Sequence, residues 1–179
     1  MTALGDHWRT PPAVLELART VLGGLDLDPA ATRAPSAHFA KQNYSRGGLD
    51  RGWLGRVYLN PPYSQLKLWI PHASQQVGAT VLALVPPSVG TSYWHRYVWP
   101  PNGQAPWKWE EKRADEPRTA AAVAFPQGRI AFLDRRGRPC GGNRYESAFV
   151  LWRSDEHDEE IVDRFCQVFA RRGRVVRFA

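Results

Sequence analysis

The fold of this chain is indicated by the segment RVYLNPPY at residues 56–63. Its first half carries Val, Tyr and Leu and predicts a buried strand, whereas Asn60 and the two prolines after it end that strand abruptly. The same pattern recurs at residues 25–28 and at the apolar run of residues 80–85, each followed by proline. In open parallel α/β sheets, ligands bind just beyond the carboxyl ends of the strands. Polar side chains at these three strand ends are therefore candidates for chemistry.

Segments with helical periodicity alternate with the strands and favour a single α/β domain over residues 1–179. The first helix is predicted to begin after Thr10, at a pair of prolines, and to end at Gly23. Further helices are predicted at residues 64–77, 91–99 and 155–171, and further strands at 120–125, 129–133, 147–152 and, as an edge strand, 174–178. The continuous apolar run at residues 80–85 is typical of a parallel strand that is buried on both faces.

Composition and charge exclude several classes of protein. The chain has 179 residues, of which 43% are hydrophobic, and its 24 Lys and Arg against 17 Asp and Glu give a formal net charge of +7. This excess suggests an anionic partner, most often nucleic acid. Cys140 and Cys166 form no CxxC pair and the five His are scattered singly, so we predict neither a disulfide framework nor a metal site. No apolar run is long enough to span a membrane and no signal peptide is recognisable, so we expect a cytoplasmic protein.

Two segments are predicted to contact nucleic acid. The first is an insertion at residues 91–118, where Trp94 and other aromatic residues alternate with cations, as suits stacking on bases and pairing with phosphates. The second is a basic hairpin at residues 129–147. Its candidate DNA-binding residues are Arg129, Arg135, Arg136 and Arg138. The tryptophans also fit a satellite core under a loop, and the arginines also fit a solvated turn.

The segment Asn60-Pro61-Pro62-Tyr63 resembles the catalytic motif of amino-methyltransferases, which use S-adenosylmethionine. In such a site the Asn60 amide oxygen and the Pro61 carbonyl oxygen each accept one N–H of an exocyclic amine, which directs the nitrogen lone pair at the methyl group and stabilises the developing positive charge. The prolines, Pro62 included, hold these acceptors in place, and Tyr63 offers a flat face for a flipped base. By itself, the tetrapeptide also fits an ordinary strand-ending turn.

An ordered series of motifs extends this resemblance over residues 6–152. The matching positions are Trp8 with Thr10-Pro11, residues 27–31, Gly48-Leu49 with Trp53, residues 59–64 with Trp69, residues 84–86, Thr91 with Trp94 and His95, and residues 128–130 with Phe132. On these positions the chain resembles the phage-type DNA N6-adenine methyltransferases, a family of small Dam-like enzymes. The resemblance implies a Rossmann-like methyltransferase domain with a mostly parallel twisted sheet, S-adenosylmethionine as cofactor, double-stranded DNA as partner and adenine as acceptor.

The resemblance also assigns residues to the cofactor. Asp28 stands where the family has the acidic group that faces the cofactor, and a carboxylate there would pair with the methionine ammonium. Asp26 lies one alternation earlier on the same side of the strand, and Asp50 lies at the distance at which Rossmann-type sites often place a ribose-binding acid. The remaining assigned residues are Trp8, Thr10, Pro11, Pro29 and Ala30. Asp26 and Asp28 also fit helix caps, Thr10-Pro11 a helix start and Trp8 the core, so these alternatives stay open at this point.

The sequence therefore predicts a DNA N6-adenine methyltransferase, encoded by a phage or prophage and acting in the host cytoplasm. The alternatives are methylation of cytosine N4, modification of a glutamine amide in a protein, and a non-catalytic DNA-binding module with a relic cofactor pocket. No obligate protein partner is evident. Because a methyltransferase core would take up most of the 179 residues, no separate target-recognition domain fits, and we predict modest sequence specificity.

Overall fold

The central strands of the sheet are the apolar segments that the sequence predicts, and they pair in parallel. The computed structural model of the protein describes residues 8–33, 38–99, 118–134, 136–140, 145–154 and 158–178. Strand β4 (Ala79–Val85) is buried along its whole length and pairs in parallel with β3 (Gly55–Leu59), with Val57 opposite Val81. A central strand of this kind is covered on both faces, which explains its unbroken run of apolar residues.

Five further strands complete a seven-stranded sheet. They are β1 (Leu27–Asp28), β2 (Gln42–Asn43), β5 (Ala122–Pro126), β6 (Ala148–Trp152) and β7 (Gly173–Arg177). The order is β2-β1-β3-β4-β6-β5-β7; the neighbours from β2 to β4 are parallel, and those from β4 to β7 are antiparallel. The predicted α/β class is confirmed, whereas the sheet is mixed, with its parallel pairing confined to the half from β2 to β4.

Helices cover both faces of this sheet. They are α1 (Pro12–Leu22), α2 (Leu66–Ser74), α3 (Ser92–Tyr97) and α4 (Glu159–Ala170). The apolar sides of α1 and α4 form one core with one face of the sheet, and those of α2 and α3 form a second core with the other face. As predicted, α1 begins at the proline pair and ends at Gly23, which has a positive φ of 72°. Among the described residues, no helix combines the length and apolar character needed to span a membrane.

The predicted strand at residues 129–133 is wrong. After β5 the chain turns at Gly128, whose φ of 85° suits glycine and ends the extended run. In this stretch only Leu133 makes strand-like contacts, as isolated bridges to Arg9 and Pro139, while β5 pairs directly with β6. The predicted hairpin over residues 129–147 stays a prediction, because residues 135 and 141–144 lie outside the described residues. Of the predicted insertion, residues 100–117 lie outside the described residues.

Candidate active site

The candidate site lies at the edge of the sheet where the parallel strands β1, β3 and β4 end. Leu27 of β1 lies opposite Val57 of β3, which places the next residue of each strand, Asp28 and Tyr58, side by side. Side chains alternate between the two faces along a strand. Asp28, Tyr58 and Asn60 therefore share one face of the sheet, the face on which α1 packs.

The hydroxyl group of Thr10 joins two of these side chains. Thr10 lies just before α1, and its Oγ1 accepts hydrogen bonds from the Tyr58 hydroxyl at 3.3 Å and from Asn60 Nδ2 at 3.2 Å. Tyr58 is fully buried, and this burial raises the pKa of its hydroxyl well above the usual range. Thr10 was assigned to the cofactor by the resemblance; in this structure its hydroxyl contacts the assigned catalytic amide, 50 positions along the chain.

Asp28 places a buried carboxylate at the same edge. Its side chain is 6% exposed, and its Oδ1 accepts a hydrogen bond from the Ala30 backbone N–H at 3.0 Å. Desolvation by burial raises the pKa of Asp28 to about 7, and the Ala30 hydrogen bond opposes that rise only in part. No ion pair to Asp28 is found within the part of the chain that the structure describes. A buried anion without a cation is complementary to a ligand that carries one.

A row of aromatic rings lies beside the Asn60 turn. Trp8 stacks on Phe132 with ring centroids 5.5 Å apart, and Tyr63 makes T-shaped contacts with Phe132 at 6.2 Å and with Tyr145 at 6.1 Å. The Tyr63 hydroxyl is buried and has no hydrogen-bond partner among the described residues. Burial raises the pKa of Tyr63, so the ring stays neutral. Tyr145 is exposed and brings the row to the surface.

The turn after β1 is held by a second short segment. Gly48 lies so close to it that a Cβ atom there would be 2.0 Å from the carbonyl oxygen of the buried Pro29. The Trp53 indole Nε1 also donates a hydrogen bond to the Gly48 carbonyl oxygen at 2.8 Å. These contacts hold the 3₁₀ turn of Gly48–Asp50 beside the end of β1. Asp50 is exposed on that turn, and its assigned contact with a ribose stays a prediction.

Asp26 is not part of this cluster. Its carboxylate accepts hydrogen bonds from Lys41 Nζ at 2.8 Å and from the Arg56 backbone N–H at 3.0 Å. These partners hold the pKa of Asp26 below its usual value. Arg56 lies four residues before Asn60, or about 13 Å along an extended strand. The Asp26 carboxylate therefore ties β1 to the beginning of β3, and its assigned contact with the cofactor stays a prediction.

Trp94 also needs correction, because it is not a surface residue. The side chain is 0% exposed in the core under α2 and α3, and its ring makes a T-shaped contact with Trp99 at 6.0 Å. A fully buried indole cannot stack on a nucleotide unless the core opens. Trp94 therefore belongs to the main core on this face of the sheet, and neither the DNA contact nor the satellite core under a loop describes it.

Several of the assigned arginines lie on the surface. Arg129, Arg136 and Arg138 are exposed, and Arg135 lies outside the described residues. Arg138 forms a salt bridge with Asp134 at 3.1 Å, and Asp134 also accepts the backbone N–H groups of Arg136 and Arg138. Asp134 thus organises the turn and neutralises part of its charge, and the assigned contacts of these arginines with DNA stay a prediction.

Sequence reasoning missed two residues of this site, Tyr58 and Phe132. Alternation along β3 was the available signal for Tyr58, because residues two apart on a strand share a face. Phe132 stands in the series of matching positions but was assigned no role, since it reaches Trp8 and Tyr63 only through the fold. Within the described ranges, no group of three or more His, Cys, Asp and Glu residues could hold a metal ion.

Comparison with known families gives one match. A family model described as DNA N-6-adenine-methyltransferase (Dam) matches residues 1–169. The match spans every residue assigned above to the site. No curated protein and no solved structure matches the chain significantly.

Proposed function

This chain belongs to the DNA N-6-adenine-methyltransferase (Dam) family, and we propose that it transfers a methyl group from S-adenosylmethionine to N6 of adenine in DNA. The observation that carries the proposal is the shared edge of β1 and β3. There the acceptors of Asn60 and Pro61 follow one strand, and the buried carboxylate of Asp28 ends its neighbour. Hydrogen-bond acceptors suit a neutral amine, and a carboxylate suits a cationic methyl donor, so the two reactants of the proposed transfer would lie side by side at this edge.

The residues at the end of β1 fit the proposed donor. S-adenosylmethionine carries an ammonium group and, when bound, supplies an electrophilic methyl group on a positively charged sulfur. The Asp28 carboxylate would pair with that ammonium, which provides the cation that this buried group otherwise lacks. Pro29 and Ala30 fix the turn that holds the carboxylate, since the Ala30 N–H binds Asp28 Oδ1. Trp8, Pro11 and Asp50 are further proposed contacts of the donor.

The residues after β3 would act on the adenine. The Asn60 Oδ1 atom and the Pro61 carbonyl oxygen would each accept one N–H of the exocyclic amine, and the transfer forms an N–C bond while the methyl–sulfur bond breaks. The nitrogen would become positively charged and then release one of its protons to water, and the two oxygens would stabilise that charge because they are already oriented. Tyr63 would stack on the flipped base, and Pro62 would restrict the backbone that leads into Tyr63.

The DNA backbone would bind the exposed arginines. Arg129 and Arg136 lie on the turn region between β5 and β6, and the same connection brings Tyr145 against Tyr63. Arginines on the connection that also contacts the Tyr63 ring suit the phosphates of a duplex whose target base is turned out of the stack. Arg135 and Arg138 complete the proposed set, with Arg138 held by Asp134.

Transfer of a tritiated methyl group tests the proposal. Unmethylated double-stranded DNA is incubated with the protein and labelled S-adenosylmethionine, and the digested nucleosides are separated. We expect the label in N6-methyldeoxyadenosine. In Asn60→Ala the rate of transfer should fall at least about 100-fold, the scale seen when one preorganised oxyanion-hole donor is removed. Label in N4-methyldeoxycytidine would show the alternative base, and no transfer at all would reject the proposal.

A matched control separates the chemistry from folding. Asn43 ends β2, and among the described residues its amide binds local backbone groups: Nδ2 donates to the Ala40 carbonyl at 2.7 Å, and Oδ1 accepts from the Phe39 and Ala40 N–H groups. Asn43→Ala removes the same side chain from a neighbouring strand end and should retain transfer per folded molecule. Equal loss in both variants would contradict a specific role of Asn60.

A further inference from the structure

The Thr10 hydroxyl lies between the two polar side chains of β3, 3.3 Å from the Tyr58 hydroxyl and 3.2 Å from Asn60 Nδ2. We propose that Thr10 is a positioning residue, which sets the direction of the Asn60 amide so that Oδ1 faces the substrate amine. This inference rests on the proposed function and adds a residue to its machinery. It gives Thr10 a different task from donor binding.

Tyr58 determines what Thr10 can accept. The Tyr58 hydroxyl is fully buried, and among the described residues its hydrogen bond goes to Thr10. Burial raises the pKa of the Tyr58 hydroxyl well above its usual range, so this hydroxyl carries its proton at neutral pH. A buried O–H that keeps its proton is satisfied by donating it, so Tyr58 donates to Thr10 Oγ1.

The second lone pair of Thr10 then selects one end of the amide. An Asn side chain has an acceptor oxygen and a donor nitrogen of similar size, and its two orientations differ by a rotation of 180°. In this structure Nδ2 faces Thr10 and donates to its Oγ1 at 3.2 Å, which leaves Oδ1 on the opposite side of the amide. The opposite orientation would present N–H groups to the N–H groups of the amine, and no hydrogen bond could form.

Thr10 itself is held from both sides. Arg9 exchanges two backbone hydrogen bonds with Leu133, at 2.8 and 3.0 Å. Pro11 follows directly, and its carbonyl oxygen accepts the first hydrogen bonds of α1, from Val14 and Leu15. The hydroxyl is therefore supplied by a fixed backbone, as orientation of a reacting group requires.

The test measures methyl transfer and donor binding separately. Thr10→Val keeps the shape of the side chain and removes the acceptor, and Thr10→Ser keeps the acceptor. We expect the single-turnover rate of adenine methylation to fall about fivefold or more in Thr10→Val, the effect of one hydrogen bond, and to stay within about twofold of wild type in Thr10→Ser. The Kd for S-adenosylmethionine, measured by calorimetry, should be unchanged in both variants.

Two results would overturn the inference while leaving the proposed function intact. One is an unchanged transfer rate in Thr10→Val. The other is a weaker Kd for S-adenosylmethionine with an unchanged transfer rate, which would assign Thr10 to the donor. If wild-type protein transfers no methyl group, the proposed function fails first, and the inference fails with it.

Tyr58→Phe gives the same test if Thr10→Val does not fold. It removes the O–H that occupies one lone pair of Thr10 and leaves the ring packing in place. We expect methyl transfer to be two- to threefold slower, which corresponds to about half the free energy of one hydrogen bond. The Kd for S-adenosylmethionine should be unchanged. The control is Tyr44→Phe, which removes an exposed hydroxyl bound to Gln42 and should have no effect. An unchanged rate in Tyr58→Phe would count against the inference.

Discussion

Replacement of Asp28 by Asn removes a buried negative charge from the site, and we expect it to stabilise the protein while it weakens donor binding. Asp28 is 6% exposed, and its pKa is raised by burial from the ordinary 3.8 to about 7. That difference corresponds to about 4 kcal/mol of unfavourable free energy in the folded state at pH 8. The Ala30 N–H keeps its acceptor in the variant, because Asn also offers an oxygen.

The pH dependence of this stabilisation has a definite sign. Below about pH 4 the Asp28 carboxyl is protonated in both the folded and the unfolded chain, so the two proteins should be equally stable. Between about pH 4 and pH 7 the unfolded chain releases the proton while the folded protein keeps it, and wild type loses stability relative to Asp28→Asn. Above about pH 7 the difference stays constant.

Urea denaturation at pH 4, 6 and 8, followed by tryptophan fluorescence, measures this difference. Asp26→Asn is the matched control, because Lys41 and Arg56 lower the pKa of Asp26 and its charged form is the stabilising one. We therefore expect Asp26→Asn to be less stable than wild type at pH 8, opposite to Asp28→Asn. If Asp28→Asn is no more stable than wild type at pH 8, the reasoning about the buried carboxylate is refuted.

Donor binding supplies the functional half of the same prediction. Loss of the carboxylate should weaken the Kd for S-adenosylmethionine at least about tenfold, the scale of a hydrogen bond to a charged group. In wild type the Kd should weaken about tenfold per pH unit below about pH 7, because Asp28 must ionise to pair with the ammonium. Calorimetry at several pH values measures both effects. An unchanged Kd in Asp28→Asn would remove Asp28 from the donor site.

Three further outcomes follow from particular contacts. Gly48→Ala should lose about 1–3 kcal/mol in urea denaturation, because its Cβ would lie 2.0 Å from the Pro29 carbonyl oxygen, whereas Gly90→Ala has no atom within 4 Å and should change by less than about 0.5 kcal/mol. Trp94→Ala should lose about 3–5 kcal/mol of stability; a variant that melts like wild type and only binds DNA less tightly would contradict the core position. Arg129→Ala should reduce the slope of log K against log salt by about 0.9 in DNA-binding anisotropy, and an unchanged slope would remove this phosphate contact.

Local patterns in the sequence were sufficient for most of the fold. The unbroken apolar run of β4 predicts a central strand because only a strand covered on both faces tolerates it. The proline pair before α1 and Gly23 after it mark both ends of that helix, since each residue type suits the backbone of its position. The predicted edge strand is β7, which lies at the end of the sheet. The prediction of a strand at residues 129–133 was wrong because the positive φ of Gly128 ends the extended run, and β6 pairs with β5 and β4.

The sequence by itself indicated the class of reaction, and it left open how the residues of the site are arranged in space. The segment of residues 60–63 resembles the catalytic motif of amino-methyltransferases, and the family match agrees with that resemblance. The tertiary structure decided which of two neighbouring aspartates is buried at the site, because Asp26 finds Lys41 and Asp28 finds no cation among the described residues. It also brought Thr10 to Asn60 across 50 positions of chain. Such contacts depend on how α1 packs over the end of the sheet. The periodicity of a short segment carries no information about which distant residues come together in the fold.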